Sequence, residues 1–423
     1  MAARPGGTSS SPRTSRAVTA LASAAIAFGI GLRLLGVWLI PFGQTVQFRL
    51  EGLNDEPAHF AYVEHLATRH TLPVQTHDVR ELGAFERADF EYYQPPLYYL
   101  IGAALYAVFG RDAGLLACRL LSALCGILTL GVMWKVFASC GMPAVAARIG
   151  VGFAALFPTH AYFCALVSND ALSWLIAAAI LWRLVDLAGA GGPDRAPPRA
   201  LRRAVVLAIL LAAGLLTKGS LALFLPLTAV VYTLESLRSR SARPALEGLA
   251  VLLVACAVAA PWWMRSLQLY GSPFGLEAGF GAPARGPLTA ARFYGLVAGT
   301  VRYFWFPMQH LAASPWTRIP RLIGAVAIAL HAAAWLVTIG RRGLSRVELP
   351  VVLCLALALA AHLWLNLAWS EPEGRFLLPA FAPIVYGLTI GMWSRVERTR
   401  WEMLGAMELL ALALLPLVSL VAA

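Results

Sequence analysis

Residues 95–137 run PPLYYLIGAALYAVFGRDAGLLACRLLSALCGILTLGVMWKVF, and this stretch decides the class of the fold. Its second part, Leu115–Phe137, is long and apolar enough to cross a membrane, because a spanning helix needs about 20 mainly apolar residues. Similar runs recur from Ala17 almost to the C-terminus of the 423-residue chain, in which 59% of the residues are hydrophobic and 13% are charged. A soluble globular domain does not have this composition. It predicts an all-α polytopic membrane protein that forms a single domain over residues 1–423.

Further candidate spans share this length and low charge. They are Ala17–Ile40, Ala144–Val167, Ala171–Leu187, Leu246–Met264, Leu322–Ile339, Leu349–Trp369, Phe376–Trp393 and Trp401–Val421. The stretch from Arg203 to Arg238 is also apolar, but the segment Thr217–Ser220 interrupts it, which predicts a hairpin of two short helices. The sequence therefore predicts about 11 membrane-spanning helices.

The short segment Pro95–Phe109 can either cross the membrane or lie on its surface, and this choice reverses the side of every later loop. Four arginine tracts share one side under either choice: Arg195, Arg199, Arg202 and Arg203; Arg238, Arg240 and Arg243; Arg341, Arg342 and Arg346; and Arg395, Arg398 and Arg400. Short cytoplasmic loops accumulate arginine and lysine. We therefore expect Pro95–Phe109 to be an interfacial helix, so that all four tracts face the cytoplasm.

We expect the protein to lie in the cell inner (cytoplasmic) membrane. The same topology predicts the side of the membrane on which each remaining segment lies. Residues 1–16 form a cytoplasmic tail, whereas residues 41–111 and 265–321 form the two large extracytoplasmic loops. Lys218 and the segments Ser168–Asp170 and Glu371–Arg375 lie on the same outer side. The formal net charge of +12 is then explained by the arginines of the cytoplasmic loops. We expect no nucleic acid partner, because the charges occur in short tracts between apolar runs.

The first outer loop contains the sequence Asn54-Asp55-Glu56-Pro57-Ala58-His59. Pro57 suits the first turn of a helix, and Asn54 or Asp55 suits its N-cap. Apolar residues follow at helical spacing, namely Phe60, Val63 and Leu66. This pattern predicts a short helix at the membrane surface. From these residues alone, Asp55 is either a helix cap or a group that takes part in chemistry.

Several motifs occur in a fixed order along the chain. Asn54–Tyr62 is followed by Leu72-Pro73 and by Tyr92–Tyr99 (YYQPPLYY), and then by Arg119–Leu124 (RLLSAL), Ser168–Asp170 (SND), Leu216–Gly219 (LTKG) and Gly374–Pro379 (GRFLLP). This series resembles the lipid-carrier-dependent glycosyltransferases of the GT-C fold, which include protein O-mannosyltransferases and aminoarabinose transferases. The resemblance covers nearly the whole chain. It also implies an interfacial helix at Pro95–Leu97, in agreement with the arginine tracts.

The resemblance implies roles for individual residues. The acidic residue of the first outer loop, a general base or acceptor-binding group in this superfamily, falls on Asp55, with Glu56 beside it. The acid of the second outer loop falls on Asp170. Three further residues of the motifs are expected to bind substrate: His59, Gln94 and Asn169.

Departure of a polyprenyl phosphate also requires cations that stabilise the phosphate. Lys218 and Arg375 are expected on the outer side and can supply them, although snorkelling to the interface also explains either residue. Arg265 follows Pro261-Trp262-Trp263. It is either a further substrate-binding group or an anchor in an aromatic belt.

No cofactor is required by the sequence. The histidines of the first loop do not have the spacing of a zinc site: His59, His65, His70 and His77. Asp55 and Asp170 can instead share a divalent cation through oxygen ligands. Arg33 and Glu408 lie within predicted spans, where we expect structural roles.

The function favoured by these patterns is an inverting hexosyl- or pentosyltransferase. Its donor is a polyprenyl-phosphate-linked sugar, and its acceptor, a protein, lipid or glycan, is not specified by the sequence. A membrane transporter is one alternative, although the polar groups cluster in one outer loop and no internal repeat is found. A non-enzymatic envelope assembly protein is the other alternative.

Overall fold

The described part of the chain folds into helices alone in this computed structural model. The structure describes residues 12–40, 42, 55–76, 90–190, 197–281, 283, 287, 289–305, 318–396 and 402–421. The α-helices are α1 Pro12–Leu39, α2 Glu56–Arg69, α3 Leu97–Ser139, α4 Ala144–Leu156, α5 Pro158–Phe163, α6 Asn169–Gly189, α7 Pro197–Leu215, α8 Phe224–Ser239, α9 Arg243–Tyr270, α10 Leu276–Phe280, α11 Ala290–Trp305, α12 Arg318–Arg342, α13 Leu349–Trp369, α14 Phe381–Val396 and α15 Glu402–Val421. Two 3₁₀ helices join them, Gly219–Leu223 and Gly374–Ala380. Some predicted features lie outside the described residues: most of the 1–16 tail, parts of the two outer loops, Asn54, His77, Arg195, Arg398 and Arg400.

Eight of the described helices are long and apolar enough to cross a membrane: Arg16–Leu39, Leu97–Ser139, Asn169–Gly189, Gly219–Ser239, Arg243–Tyr270, Leu322–Arg342, Leu349–Trp369 and Gly374–Arg395. The chain is thus a multi-pass membrane protein, and the predicted all-α polytopic fold is confirmed. The predicted count of 11 spans is not confirmed.

Two predicted segments differ from the structure. The stretch Ala144–Val167 is not one continuous helix, because the chain breaks before Pro158 into α4 and α5. The stretch 265–321 is not simply a loop, because α9 continues to Tyr270 and the segment then contains α10, α11 and the start of α12. The predicted break around Lys218 does occur, between α7 and the first 3₁₀ helix.

Helix α3 is a hairpin of two arms that meet at Gly110, whose φ of 75° and ψ of −174° are not helical. The hydroxyl groups of Tyr98 in the first arm and Ser122 in the second are 2.7 Å apart. Closer to the turn, a Cβ atom added to Gly114 would lie 3.0 Å from Cα of Tyr106. These contacts along both arms show that they pack antiparallel.

The bundle has two ends, which we name by α6: the upper end where α6 begins and the lower end where it finishes. At the upper end, Ser168 N donates to Tyr98 Oη at the start of the hairpin. At the lower end, Lys135 of the second arm lies over the ring of Trp182 in α6. The second arm therefore runs downward beside α6, whereas the turn at Gly110 points away from the lower end. The first arm leaves the upper end and runs to Gly110, and the second arm brings the chain back beside Tyr98, so the first arm does not traverse the bundle.

Three arginine tracts lie at the lower end. Helix α7 starts in the first tract and finishes at the upper end, where Leu216 O accepts a hydrogen bond from Leu97 N. The second tract connects the end of α8 to the start of α9. In the third tract, Arg346 donates to Gly189 O at the end of α6. The polar loops described next all meet at the opposite end.

Helix α2 docks onto the hairpin through the predicted apolar positions. Phe60, Val63 and Leu66 are all buried. Gly102 of the first arm allows this packing, because a Cβ atom there would lie 2.7 Å from a methyl group of Val63. This contact holds the N-terminus of α2 at the upper end.

Candidate active site

Asp55 precedes the first residue of α2, and its carboxylate makes no cap hydrogen bond to the described backbone. Its backbone carbonyl instead accepts from Ala58 N and His59 N, which begins the helix. The carboxylate points to the other end of the sequence, where Arg375 Nη2 donates to Oδ2 at 2.7 Å. Asp55 therefore stands at a helix start while its side chain is engaged elsewhere.

Five charged side chains form what we call the ionic cluster: Asp55, Asp170, Lys218, Glu373 and Arg375. Besides the contact with Asp55, Arg375 lies 2.5 Å from Glu373 and 3.9 Å from Asp170. Lys218 Nζ donates to Asp170 Oδ1 at 2.5 Å. All five side chains are at most 24% exposed, so these charges interact in a partly desolvated site.

The backbone explains how Arg375 enters the cluster. A Cβ atom on Gly374 would lie 2.4 Å from the backbone N and Cα of Phe304, so only glycine permits this approach of the second 3₁₀ helix to α11. The guanidinium of Arg375 then lies over the rings of Phe163 and Phe376, at 4.9 and 5.4 Å from their centroids. Aromatic faces attract guanidinium groups. The arginine is thus held on three sides.

Local structure also positions Asp170 and Lys218. Ser168 is the N-cap of α6 and accepts from Asp170 N at 3.2 Å, so the acid lies in the first turn, where the helix dipole favours negative charge. Lys218 is extended, with φ −156° and ψ 134°, between the end of α7 and the first 3₁₀ helix. Both residues therefore lie at breaks between helices at the upper end.

Glu91 and His59 lie beside Asp55. Burial, followed by the charge of Asp55, raises the pKa of Glu91 to about 8. Burial lowers the pKa of His59 to about 4, and its Nδ1 is 2.7 Å from Tyr99 Oη. For Asp55, burial opposes ionisation, but the charge and the hydrogen bond of Arg375 outweigh it, so its pKa is lowered. At neutral pH the site thus contains an ionised Asp55 beside a neutral histidine and a protonated Glu91.

The same three residues can hold a metal ion. One ligand atom from each of Asp55, His59 and Glu91 lies within 4.8 Å of the others. Glu91 Oε2 is buried and has no hydrogen-bond partner among the described residues, which fits an oxygen ligand of a cation.

A cavity of about 530 Å³ opens at the ionic cluster. Its polar end contains Asp55, His59, Glu91, Gln94, Lys218, Glu373 and Arg375. Its other walls are mainly apolar and include Leu223, Phe274, Phe280, Ala358, Leu365 and Phe376. Trp364 in the wall is 56% exposed. The cavity thus joins a charged end to mainly apolar walls.

This architecture matches that of known membrane transferases. Residues 93–264 match the model of the family described as dolichyl-phosphate-mannose-protein mannosyltransferase. ArnT from Cupriavidus metallidurans bound to undecaprenyl phosphate aligns with a TM-score of 0.55 at 16% identity, over 88% of this chain and 60% of ArnT. The chain has the GT-C fold. The resemblance to lipid-carrier-dependent glycosyltransferases, predicted from the motifs, is thereby confirmed for the fold.

Two further GT-C structures come from Archaeoglobus fulgidus. The oligosaccharyltransferase in the apo form aligns with a TM-score of 0.55 at 12% identity, over 94% of this chain and 56% of the transferase. The oligosaccharyltransferase AglB with an inhibitory peptide and a dolichol-phosphate has a TM-score of 0.53 at 12% identity, over 96% and 56%. The chain spans about 60% of the length of ArnT and less of the archaeal enzymes. A comparison with curated protein sequences gave no match.

Within this GT-C fold, two predicted residues join the site through hydrogen bonds rather than charge. Gln94 lines the cavity, and its Oε1 accepts from Asn169 Nδ2 at 3.3 Å. Asn169 is fully buried and also donates to Thr217 O. These bonds tie together the segments that contain Glu91, Asp170 and Lys218.

Two other predicted residues are not brought into the ionic cluster. Glu56 is buried and accepts from Arg119 Nε and Nη2 at 2.7 and 2.6 Å, and from Val167 N at 2.9 Å. Arg265 donates to the backbone carbonyls of Leu72 and Pro73 and lies over Trp262. Neither side chain lines the cavity. Both connect the first outer loop to spanning helices.

Two residues of the site were not singled out in the sequence. Glu91 lies in the first outer loop and directly precedes the motif at Tyr92–Tyr99. Glu373 lies in the segment Glu371–Arg375, which the sequence assigned only to the outer side. Both acids stand directly beside a sequence motif whose residues enter the site, and this adjacency is the sequence signal that identifies them.

Proposed function

We propose that this chain is a glycosyltransferase that moves a sugar from a polyprenyl-phosphate-linked donor to an acceptor hydroxyl or amide. The observation that supports this proposal most strongly is the cavity, in which Lys218, Arg375 and Asp55 meet at the polar end of an otherwise apolar space. The cations suit a phosphate, the apolar walls suit a polyprenyl chain, and the carboxylate suits proton transfer.

In the proposed reaction, Asp55 accepts the proton of the acceptor group as that group attacks C1 of the sugar. The bond from C1 to the phosphate oxygen breaks, and its electron pair stays on the phosphate. Lys218 and Arg375 stabilise the charge that develops there. A single displacement of this kind inverts the configuration at C1. The transferred group is a hexosyl or pentosyl unit.

Donor binding also changes the base. Arg375 pairs with Asp55 at 2.7 Å and contributes to its lowered pKa. A phosphate bound by Arg375 competes for that guanidinium and adds negative charge nearby, so the proton affinity of Asp55 rises. The base thus becomes stronger when the donor is in place. Lys218, the second proposed phosphate ligand, is paired with Asp170 in the same way as Arg375 is paired with Asp55.

A divalent cation is a further part of this proposal. Asp55, His59 and Glu91 are the residues that would hold it, since their ligand atoms are close together and one oxygen of Glu91 is buried without a partner. When bound, such a cation would add positive charge at the polar end of the cavity, where Lys218 and Arg375 also lie. An oligosaccharyltransferase of Archaeoglobus fulgidus has been solved in complex with Zn and sulfate, with a TM-score of 0.51.

The proposed location is the inner membrane, with the site on its extracytoplasmic side. Support comes from the arrangement of charges, because the ionic cluster and three arginine tracts lie at opposite ends of the bundle. The acceptor on that side is a protein, a lipid or a glycan.

A transfer assay tests the function. Purified protein is incubated with labelled polyprenyl-phosphate sugars and mixed acceptors, with divalent metal or with EDTA, and release of polyprenyl phosphate and the anomeric configuration of the product are measured. Lys218→Met and Arg375→Gln, made separately, are expected to lower donor kcat/KM by about 10- to 100-fold, because hydrogen bonds to charged groups contribute about 1.5–3 kcal/mol.

Arg243→Gln is the matched control, since Arg243 pairs with Glu247 at the lower end. Equal donor use by folded Lys218→Met, Arg375→Gln and wild-type protein would remove both cations from the mechanism. Movement of intact labelled donor across vesicles, without cleavage, would favour a transporter instead.

A further inference from the structure

A stripe of exposed side chains descends the second arm of α3 to Lys135. Leu124 and Leu128 are 52% and 48% exposed. Gly131 continues the stripe one turn lower, and a Cβ atom there would meet nothing within 4 Å. Lys135, also exposed, follows after another turn. Residues three or four apart share a helix face, so this face has an apolar part, an open position at Gly131 and then a cation.

Lys135 lies against α6. Its Nζ is 4.4 Å from the ring centroid of Trp182, and the guanidinium of Arg183 is 5.1 Å from the same centroid. Arg183 is paired with Asp186 at 3.4 Å, whereas Lys135 has no carboxylate partner among the described residues. Two cations and one carboxylate leave this position with a net positive charge, to which Arg148, stacked on Trp134, adds another nearby.

This arrangement lies where lipid headgroups are expected. Trp and Lys concentrate at the membrane interface, and the third arginine tract is at the same end of the bundle. The position is distant from the ionic cluster, because Trp182 follows Asp170 by 12 residues of α6, which is about 18 Å of helix.

We propose that an anionic phospholipid binds between α3 and α6 at the lower end of the bundle. Its phosphate contacts Lys135 beside Trp182, and one acyl chain lies along Leu124, Leu128 and the open position at Gly131. The site belongs to the leaflet opposite the candidate active site. It does not depend on the proposed transferase activity.

Two variants distinguish lipid binding at this site from a general attraction of anionic lipids to the positive charge at the same end. Lys135→Gln removes the cation, and Gly131→Leu fills the open position without changing charge. Arg243→Gln is the control, since it removes one positive charge from an exposed arginine that is paired with Glu247. Because each Lys near an anionic surface contributes about 1 kcal/mol, Lys135→Gln is expected to weaken binding about fivefold.

The measurement is native mass spectrometry of the purified full chain titrated with phosphatidylglycerol, with phosphatidylcholine or with undecaprenyl phosphate. We expect retention of phosphatidylglycerol over phosphatidylcholine, weakened by Lys135→Gln and by Gly131→Leu but not by Arg243→Gln. Equal retention of both phospholipids, or unchanged binding by both variants, would show that Lys135 only extends to the interface and would overturn the proposal. Preferential retention of undecaprenyl phosphate through Lys135 would overturn the assignment to a phospholipid.

Discussion

Asp55 illustrates how one residue can begin a helix without capping it through its side chain. Asp is a favoured N-cap because its carboxylate usually accepts from the first turn. Here that carboxylate accepts from Arg375 instead, and the described structure contains no cap bond from it. The two roles left open by the sequence are therefore separable at this position.

Asp55→Asn is expected to lower the transfer rate by about 100- to 10,000-fold, the usual cost of losing a proton-transfer group. The amide oxygen can still accept from Arg375, and Asn suits the start of a helix as well as Asp does. Folding is thus expected to survive, which thermal unfolding of the purified variant checks. The rate is measured at saturating donor and acceptor.

The control for Asp55→Asn is Glu64→Gln, which removes a partly exposed acid from the same helix. Glu56→Gln is unsuitable, because Arg119 would remain buried without its partner, and breaking such a pair costs about 3–5 kcal/mol. Near-normal turnover by folded Asp55→Asn protein would contradict the assignment of the base. Asp170 would then be the next candidate.

At the scale of elements, the break between α4 and α5 shows how a buried charge supports irregular structure. Pro158 has no N–H for the carbonyl of Ala154, which keeps only a 3.4 Å bond from Phe157 N, and the extended backbone of Phe157 ends the helix before Ala155 can find its usual partner. Unsatisfied carbonyls are costly in a membrane. Arg33 Nη1 donates to Ala155 O at 2.6 Å and Nη2 donates to Ala154 O at 3.3 Å. The structural role expected for Arg33 is therefore to supply hydrogen bonds to the carbonyls at this break. The break leads into α5, whose Phe163 supports Arg375.

A second buried charge organises the connection between α12 and α13 at the lower end. Glu348 accepts from both terminal nitrogens of Arg342, at 2.9 and 2.5 Å. It also accepts from the hydroxyls of Ser345 and Tyr386, each at 2.7 Å. Burial opposes ionisation of Glu348, but these hydrogen bonds outweigh it, and its pKa is lowered from 4.5.

Glu348→Gln is expected to destabilise the protein at neutral pH by about 1.5–3 kcal/mol, the contribution of hydrogen bonds to a charged group. A lowered folded-state pKa stabilises the fold above the unfolded value and loses this effect as pH falls through the folded value. The difference in unfolding midpoint between wild type and variant is therefore expected to shrink below about pH 4.5. Thermal unfolding across this range measures it.

The control for this prediction is Glu247→Gln, an acid at the same end that pairs with Arg243 and is 25% exposed. Its effect is expected to be small, since exposed pairs contribute about 0–1 kcal/mol. A Glu348→Gln difference that stays constant from neutral to acidic pH would assign its effect to packing rather than to ionisation.

At the scale of the whole molecule, charge separates the two ends. The ionic cluster combines loops from residues 55, 170, 218 and 375 at the upper end. The arginine tracts from α7, α8 and α12 lie at the lower end. By the positive-inside tendency, the proposed orientation has the lower end facing the cytoplasm.

Single cysteines test this orientation in a chain whose six native cysteines are replaced. Thr71→Cys lies at the end of α2, and Ala242→Cys lies between α8 and α9; both positions are exposed. An impermeant thiol reagent added to intact cells is expected to label Thr71→Cys alone, and Ala242→Cys is expected to react only after the membrane is opened. The opposite labelling pattern would show that the candidate active site faces the cytoplasm and would contradict the proposed orientation.

The sequence by itself determined the features that depend on neighbouring residues. Apolar runs of sufficient length predicted a polytopic helical membrane protein, since hydrocarbon requires internally bonded backbone. The apolar spacing in Glu56–Arg69 predicted its buried face, and Thr217–Ser220 predicted a break. The motifs indicated the GT-C fold and contain four residues of the site: Asp55, Asp170, Lys218 and Arg375.

Only the tertiary structure decided which of these residues meet. Asp55 and Arg375 are 320 positions apart, and their contact depends on close packing at Gly374 that no local pattern encodes. Glu56 is adjacent to Asp55 in sequence, yet the turn of the helix sends it to Arg119. Glu91 acquires its raised pKa from burial beside Asp55. Periodicity and composition record local solvent preference, whereas charge pairing and desolvation arise from packing between distant segments.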